Sequence, residues 1–403
     1  MSEKGSLMKK AGFLVLFIIL EIASSQLGTV EAVEYTYQPL GLTGSFGLRV
    51  HPNAINNDGW IVGYYEIGNP NLPDYAWHAF LQKEGEFIDL HDSFPGATSS
   101  NATGINDRGQ VVGYWVSEGK VRAFRWKEGR TSDLGDGFMA QGISQGEAVA
   151  GELDAAASLW TEARGLQDLG NLPGQNGAAA YAVKEVAPRG SLSIFRGPSY
   201  PSAEKGRDRL VWVVGTATGK TSDTEFKYPH AFLWTPQKGM QDLGTLGGLS
   251  GYLYDASWAY ALNGKGEVVG SSSIGHWGPP GPVEMHAFLW TQAEGMRDLG
   301  ILQPNNNSVH LGSQSRGIND LSQIVGFSGY PALNGEIYHA TLWQHGTIQD
   351  LNDWVRKFPA ELPKDIRLGK AYGINNAGHI IGTTETTNNA NNDYYGFVLT
   401  PKP

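Results

Sequence analysis

The sequence predicts an all-β fold, a seven-bladed β-propeller with four strands in each blade. Three observations lead to this prediction. A phrase of four short β-prone runs occurs seven times, the repeats span about 40 to 56 residues, and a segment near the N-terminus matches the one run that the last phrase lacks. Repeats of this length with four strands each are typical of propeller blades.

Each phrase reads as an INxxG-like turn, a VVG-like run, an HAFLW-like run and a DLG-like run. Val, Ile, Phe and Trp dominate the runs, and Gly, Asn and Asp bound them, which is the pattern of short strands separated by tight turns. The glycines that end the VVG-like runs are Gly63, Gly113, Gly151, Gly215, Gly270, Gly326 and Gly382. The third phrase departs furthest from the pattern, and an insertion divides the fourth.

The seventh phrase stops after Phe397-Val398-Leu399 and has no DLG-like run. The segment 35–41 (YTYQPLG) has the pattern of that missing run. We therefore expect the N-terminal strand to complete the last blade and close the ring.

Turn chemistry predicts two different faces. Asn followed three residues later by Gly, as in Asn56/Gly59 and Asn106/Gly109, suits a short hairpin between the first two strands, because Asn caps the turn and Gly accepts a left-handed backbone. The links between the third and fourth strands are also short and lie on the same face, which we call the turn face. The remaining connections are long and irregular and lie on the opposite, long-loop face.

The long-loop face is where we expect a ligand, because a rigid scaffold commonly carries its binding residues on variable loops. Its connections are rich in aromatic residues that follow no repeat. The predicted ligand-binding residues are Tyr64, Tyr65, Tyr75, Trp77, Trp115, Tyr228, Trp277, Tyr330, Tyr338 and Tyr394.

Four histidines recur at the start of the HAFLW-like run, at His78, His230, His286 and His339. Equivalent positions on a third strand are too far apart to share one ion at Zn–N distances of about 2.1 Å. We expect them to form hydrogen bonds inside the blades, with the Asp of the DLG-like run as a partner. The sequence predicts no metal site and no cofactor.

Catalytic constellations are sparse. The chain contains no GxSxG, HExxH or phosphate-binding loop, so no reaction is specified by a motif. Acid–base pairs could form if loops converge over the axis. The pairs on those loops are Glu66 with Asp74, Asp223 with Glu225, and His276 with Glu284.

Residues 1–32 have the pattern of a secretory signal peptide, with lysines, an apolar stretch and a small-residue cleavage site. The alternative is an uncleaved anchor. We expect export to the extracellular medium, with the periplasm as the alternative. The chain has no cysteine, which excludes disulfides. Residues 33–403 form one predicted propeller domain, and its insertion, 184–210, is either a solvated loop or a contact arm for an acidic partner.

The formal net charge of −10 and a pI near 5.5 argue against non-specific binding to nucleic acid or to an anionic membrane. Once the signal peptide is cleaved, we expect no membrane association. We expect a monomer.

The ordered combination of GINxxGxxVG, HAFLW and DLG resembles the HAF-repeat family of extracellular, mostly bacterial proteins. His230-Ala231-Phe232 and His286-Ala287-Phe288 carry the motif that names the family, and the resemblance covers nearly all of residues 33–403. It implies secretion and a propeller-like fold. It implies no reaction and no site residues.

Three functions remain open from the sequence. The first is a secreted binding module for a glycan or a protein on the long-loop face. The second is a secreted carbohydrate-active hydrolase or lyase, with loop carboxylates over the central tunnel. The third is a surface scaffold without a small ligand.

Overall fold

The structure is a computed structural model. It describes residues 34–40, 49–68, 72, 75–186, 210–222, 225–247, 255–276, 283–302, 312–332, 335–356, 362, 364–386 and 395–402. The chain divides into a unit of residues 1–34 with 402–403 and a unit of residues 35–401. In the first unit the N–H of Lys402 donates to the carbonyl of Glu34 at 2.7 Å. The predicted signal peptide and most of the insertion, residues 187–209, lie outside the described residues.

The second unit is a ring of seven four-stranded antiparallel sheets, which confirms the predicted seven-bladed propeller. The strands of the first three blades are β2 (Val50–Ile55), β3 (Ile61–Ile67), β4 (Ala76–Lys83) and β5 (Glu86–Asp89); β6 (Ser99–Ile105), β7 (Val111–Ser117), β8 (Lys120–Lys127) and β9 (Arg130–Asp136); and β10 (Phe138–Ile143), β11 (Val149–Leu153), β12 (Ala156–Thr161) and β13 (Gly165–Asp168). Those of the next three are β14 (Gly177–Glu185), β15 (Val211–Ser222), β16 (Glu225–Thr235) and β17 (Gly239–Asp242); β18 (Ser257–Leu262), β19 (Val268–His276), β20 (Val283–Thr291) and β21 (Gly295–Asp298); and β22 (Ser313–Ile318), β23 (Ile324–Ala332), β24 (Gly335–Gln344) and β25 (Thr347–Asp350).

The seventh blade joins the two ends of the chain. It contains β26 (Ile366–Ile374), β27 (Ile380–Thr386) and β28 (Gly396–Pro401), with β1 (Tyr35–Pro39) as its outermost strand. The register pairs Tyr37 with Leu399, and both Tyr35 and Tyr37 are buried. The predicted closure by the N-terminal strand is confirmed.

Within the described residues, two short helices lie outside the blades: a 3₁₀ helix at His91–Ser93 and α1 at Leu351–Arg356. Neither these nor any other helix within the described ranges is long and apolar enough to cross a membrane.

The hydrophobic core lies between neighbouring blades rather than at one centre. Ala and Phe of the HAFLW-like run are fully buried, as in Ala123 and Phe124, and they belong to different core clusters because successive strand residues face opposite sides of a sheet. Phe124 packs with residues of blade one such as Leu81, whereas Ala123 packs with residues of blade three such as Phe138. The repeated motif is therefore the packing unit that holds one blade to the next on both sides.

The INxxG turns connect the blades at the turn face. In blade six, Asn319 Oδ1 accepts hydrogen bonds from the N–H groups of Leu321 and Gln323, both at 3.0 Å, which caps its own turn. Its Nδ2 donates to the carbonyl of Asn375 in blade seven at 2.9 Å. Asn375 in turn donates to the carbonyl of Asn56 in blade one at 3.0 Å, so the same residue type closes the ring.

These turns form a nearly continuous series, which we call the asparagine ring. Its members are Asn56, Asn106, Asn263, Asn319 and Asn375, all buried. Blade three has Ser144 at this position, and blade four has its insertion there. The Ser144 hydroxyl donates to Glu185 at 2.8 Å, so a side chain of blade four replaces the missing amide contact.

The recurrent histidines form the expected hydrogen bonds with the Asp of the DLG-like run. The Nδ1–Oδ2 distances are 3.2 Å for His78–Asp89, 2.8 Å for His230–Asp242, 2.9 Å for His286–Asp298 and 2.6 Å for His339–Asp350. In blade two Arg122 takes the histidine position, and its Nε donates to Asp136 at 2.6 Å. The Asp side chains also cap the following turn, as Asp242 does by accepting from the Gly244 N–H at 2.8 Å.

Candidate functional site

Every innermost strand carries a β-bulge at the same place, three residues before the turn position. The ladder register skips one residue there, so two residues of the innermost strand oppose one residue of its partner. The skipped residues are Asn53, Thr103, Gln141, Tyr181, Tyr260, Arg316 and Tyr372.

The glycine of the VVG-like run accommodates this bulge. In blade one, Gly63 pairs with Pro52, immediately before the skipped residue. A Cβ on Gly63 would overlap the carbonyl oxygen of His51, so no other residue fits without moving the inner strand. The repeated glycine and the bulge are thus two parts of one local structure.

The seven skipped residues line a single cavity on the propeller axis, which we call the axial cavity. Its volume is about 400 Å³. Its lining residues are Asn53, Asn101, Thr103, Tyr114, Gln141, Tyr181, Tyr260, Arg316 and Tyr372. All seven blades contribute, and no carboxylate is among these described residues. Asn101 and Tyr114 lie on the long-loop side of the bulges, so the cavity extends toward that face and away from the asparagine ring.

Blades one to three contribute amides and hydroxyls. Asn53 Nδ2 donates to Asn101 Oδ1 at 2.8 Å, and Asn101 Nδ2 donates to the Tyr114 hydroxyl at 3.3 Å. The Thr103 hydroxyl donates to the carbonyl of Ala140 at 2.8 Å. These contacts hold the polar groups in place before any ligand arrives, which reduces the entropy that binding would cost.

Blades four to six contribute aromatic rings and one cation. The rings of Tyr181 and Tyr260 are tilted with centroids 6.0 Å apart. The Arg316 guanidinium lies over the Tyr260 ring at 4.1 Å and donates from Nη2 to Gln314 at 3.0 Å. Its Nε is buried and has no hydrogen-bond partner. Burial raises the pKa of the Tyr181 hydroxyl, so this group is a neutral donor at ordinary pH.

On the second strands, the residue that follows the bulge-facing glycine differs from blade to blade, and in blade two it lines the cavity. Tyr114 occupies this position in blade two, Tyr64 in blade one, Glu152 in blade three and Phe327 in blade six. Burial raises the pKa of Tyr64 to about 12, and Glu66 and the nearby cavity tyrosines Tyr372 and Tyr114 add to the shift. Tyr64 occupies in blade one the position that the cavity-lining Tyr114 occupies in blade two, which places it next to the cavity.

A polar cluster in blade one adjoins Tyr64. The imidazole of His51 stacks on the Tyr64 ring, with centroids 4.5 Å apart, and His51 Nε2 lies 2.8 Å from Glu66 Oε1. Burial lowers the pKa of His51 more than the neighbouring Glu66 raises it, so the ring is neutral near pH 7. In blade three, burial raises the pKa of Glu152.

The predicted aromatic residues lie in different environments. Tyr64 adjoins the cavity, whereas Tyr65 points to the other side of the same strand, is 8% exposed and donates to Asp89 at 2.8 Å. Tyr75 and Trp77 form an edge-to-face pair with centroids 6.1 Å apart. Trp115 is buried between blades, stacked on Phe94 at 5.1 Å.

Tyr338 packs edge to face on Phe327 with centroids 5.1 Å apart, and the backbone carbonyl of Tyr228 accepts from Gln175 at 3.1 Å. Tyr330 belongs to β23, but its side chain is not described. Trp277 and Tyr394 lie outside the described residues. The ligand contacts predicted for these residues stay predictions.

Sequence reasoning did not identify the axial cavity. The signal was present: within each repeated phrase, the residue three places before the turn position varies while its neighbours recur. A variable side chain in a repeated scaffold position points to a surface that the fold does not need.

The acid–base pairs of the sequence analysis are only partly within the described residues. Asp74 and Asp223 lie outside them, and the side chains of Glu225 and His276 are not described. Glu66 interacts with His51, and Glu284 Oε1 lies 3.5 Å from His286 Nε2. Among the residues that the structure describes, no group of three or more His, Asp or Glu side chains could hold a metal ion.

No protein-family model matches the chain, and no curated protein resembles it in sequence, so membership of the HAF-repeat family stays a prediction. The chain is similar in fold to an ulvan lyase of polysaccharide lyase family PL25, described with a bound -[GlcA(1-4)Rha3S]- saccharide, at 10% identity and a TM-score of 0.40, covering 92% of this chain and 94% of that one. It is also similar to a Bombyx mori GH32 β-fructofuranosidase at 9% identity and a TM-score of 0.30, covering 92% and 91%. These values are too low to transfer a site or an activity.

Proposed function

We propose that this protein is a secreted propeller that binds a glycan in the axial cavity and on the adjoining long-loop face. The observation that supports this most is the convergence of one side chain from every blade on a cavity of about 400 Å³. That volume lies within the range of about 300–1,000 Å³ common for small-molecule sites.

The lining chemistry favours a sugar. Saccharide rings have apolar C–H faces and hydroxyl-rich edges, so they pair with aromatic rings and with fixed amides together. Tyr181 and Tyr260 provide rings on one side of the cavity, and Asn53, Asn101 and Gln141 provide amides on the other. A protein partner remains the alternative ligand, and it would use the outer loop aromatics such as Tyr75 and Trp77 instead.

The test is a thermal-unfolding screen of residues 33–403 against neutral and acidic oligosaccharides. A ligand at about 100 times its Kd adds roughly 2.7 kcal/mol to the free energy of unfolding. For each sugar that shifts the transition, we expect Tyr260→Ala to weaken binding at least tenfold and Tyr75→Ala to have a smaller effect. If Tyr75→Ala weakened binding and Tyr260→Ala did not, the ligand would bind to the loops and not in the cavity. If no sugar shifted the unfolding transition, glycan binding would be contradicted.

A carbohydrate-active enzyme is the second candidate, favoured by the polar cluster of blade one. A neutral imidazole held by a carboxylate and stacked beside a tyrosine is a suitable acid–base arrangement. His51, Glu66 and Tyr64 form it next to the cavity wall. Any glycan that binds should be incubated with the wild-type protein and with His51→Gln. New reducing ends or unsaturated products that His51→Gln fails to make would establish the enzyme, and intact glycan would support the binding module.

A further inference from the structure

Two cations lie close to the same aromatic ring, that of Phe327, and one of them, Arg316, lines the axial cavity. Arg316 lines the cavity in blade six, and its guanidinium carbon lies 5.9 Å from the centre of the Phe327 ring. Lys370, on the innermost strand of blade seven, places Nζ 5.2 Å from the same ring and 4.9 Å from the ring of Tyr338. Phe327 therefore adjoins both cations.

Neither cation has a carboxylate partner among the described residues. Other partly buried arginines of the same ring do have one: Arg367 Nη2 lies 2.7 Å from Glu385, and Arg125 Nη1 lies 3.4 Å from Glu147. The aromatic contacts of Arg316 and Lys370 stabilise a cation but leave its charge uncompensated. Across the cavity, the charges of both Arg316 and Glu152 act on Tyr181. No hydrogen bond joins Glu152 to Arg316 in the described contacts.

Arg316 also retains unused donor capacity. One nitrogen, Nη2, donates to Gln314 at 3.0 Å, while the buried Nε has no partner. A buried donor without an acceptor carries a desolvation cost, which a ligand acceptor would remove. The guanidinium carbon lies over the Tyr260 ring, 4.1 Å from its centre, and the Nε–H is a donor that an oxyanion can accept from.

A concave site with uncompensated positive charge in a chain of net charge −10 concentrates anions locally. We propose that Arg316 and Lys370 form an anion subsite and that the saccharide bound in the axial cavity is acidic, with a carboxylate or sulfate group on this subsite. This inference rests on the proposed function, because it names the class of glycan that the same cavity takes.

The experiment uses pairs of oligosaccharides that differ only in charge. Oligogalacturonate and oligoalginate are each compared with the fully methyl-esterified form, and sulfated carrageenan oligosaccharides with the desulfated form. Binding to residues 33–403 is measured by calorimetry at low and high salt. We expect at least one acidic oligosaccharide to bind tenfold or more tightly than its neutral counterpart. Whether the uronate pairs or the sulfated pair show this difference identifies the bound group as a carboxylate or a sulfate.

The variants locate the effect. Arg316→Gln should weaken binding of the acidic member roughly 10–100-fold and remove most of its salt dependence. Lys370→Gln should produce a smaller loss, and Arg316→Lys should retain part of the affinity. Lys83→Gln is the matched control, because Lys83 also lies over an aromatic ring, 4.1 Å from that of Trp60, but beside the turn face. It should leave binding unchanged.

The outcomes separate the two proposals. Equal binding of acidic and neutral members, with Arg316→Gln like wild type and Tyr260→Ala weakened, overturns the anion subsite and leaves the proposed function intact. Failure of both members of every pair to bind overturns both. If Arg316→Gln does not fold, Lys370→Gln and the salt dependence of the wild-type protein decide the question by the same comparison.

Discussion

The innermost strand of each blade has a position that repeats from blade to blade and a position that varies. At the turn face, the asparagine ring repeats one residue and one set of hydrogen bonds from blade to blade. Three residues earlier on the same strand, the residue changes from Asn53 to Tyr181 to Arg316. The repeated position joins the blades, so it tolerates little change. The variable position faces a cavity, so it is free to define a ligand.

Blade four shows the limits of that repetition. Its insertion replaces the turn, and Lys184 stands where the other blades have Asn or Ser. The ring continues into this blade through Glu185, which also accepts from the Gly146 N–H at 2.8 Å. Its cavity residue, Tyr181, is nevertheless in the same register as its counterparts, because the bulge depends on Gly215 and not on the turn.

The largest expected effect is the loss of ring closure. A chain that begins at Gly41 lacks β1 and should lose more than about 5 kcal/mol of unfolding free energy, because it removes two buried tyrosines and a whole strand ladder. A chain that begins at Glu34 is the control. Circular dichroism and chemical denaturation compare the two, and equal stability would show that the ring does not need this strand.

A single asparagine of the ring should have the next largest effect. Asn375→Ala removes two turn caps, from Ala377 and His379, and the donor that reaches blade one. We expect a loss of about 2–4 kcal/mol. Asn57→Ala, an exposed neighbour on the same face, should cost below about 1 kcal/mol. Chemical denaturation at equilibrium measures both, and similar losses would mean that the ring position has no special role.

The His–Asp pairs should contribute a pH-dependent stability. The hydrogen bond to Asp242 raises the pKa of His230 in the folded protein. The contribution of His230 to the free energy of unfolding is therefore fully present below the unfolded His pKa of about 6.5, and it is lost as the pH rises through the folded pKa. Burial would raise the pKa of Asp242, but the hydrogen bonds from His230 and from the Gly244 N–H hold that pKa below its usual value. The contribution of Asp242 to the free energy of unfolding is therefore present above about pH 4 and is lost as the pH falls. The pair therefore stabilises most between about pH 4 and 6.5.

Asp242→Asn keeps the turn cap and removes the charge that interacts with His230. We expect it to lower the free energy of unfolding by less than about 1 kcal/mol near pH 5.5, and by a smaller amount above pH 8, where the histidine is neutral. Asp168→Asn is the matched control, because Asp168 caps Gly170 at 2.8 Å but faces Ser158 across the ladder and not a histidine. Denaturation at several pH values distinguishes them. The same pH profile for both variants would exclude a histidine contribution.

The smallest effect on stability is expected in the axial cavity. Gln141→Ala should change the free energy of unfolding by less than about 1 kcal/mol, because its side chain lines the cavity and is not part of the core between the blades. The same change should weaken glycan binding. A large loss of stability would remove the distinction between a structural ring and a functional cavity.

Much of this architecture could be predicted from the sequence. The seven phrases predicted the blades, the missing run predicted closure by residues 35–41, and the Asn–Gly spacing predicted the capped turns. These features are local or periodic, so they repeat in the sequence as they repeat in space. The histidine partners were also predictable, because the HAFLW-like and DLG-like runs pair within one blade.

The site was harder to predict because its residues come from seven different phrases. Asn53 and Tyr372 are far apart in the chain and meet at the cavity only when the ring is closed. Tyr64 and Tyr65 are both predicted to contact the ligand, but only Tyr64 adjoins the cavity. Tyr65 is buried in the blade, because neighbouring residues on a strand face opposite sides of the sheet.

The sequence alone specifies the repeated blade, its turns and the strand that closes the ring, because short-range hydrophobic patterning and turn chemistry encode them. Only the tertiary structure brings the seven bulged residues around one axis and places Arg316 and Lys370 close to the same Phe327 ring. The physical reason is that a bulge changes the direction of a side chain without changing the composition of its strand, and the meeting point of those side chains exists only in the closed ring.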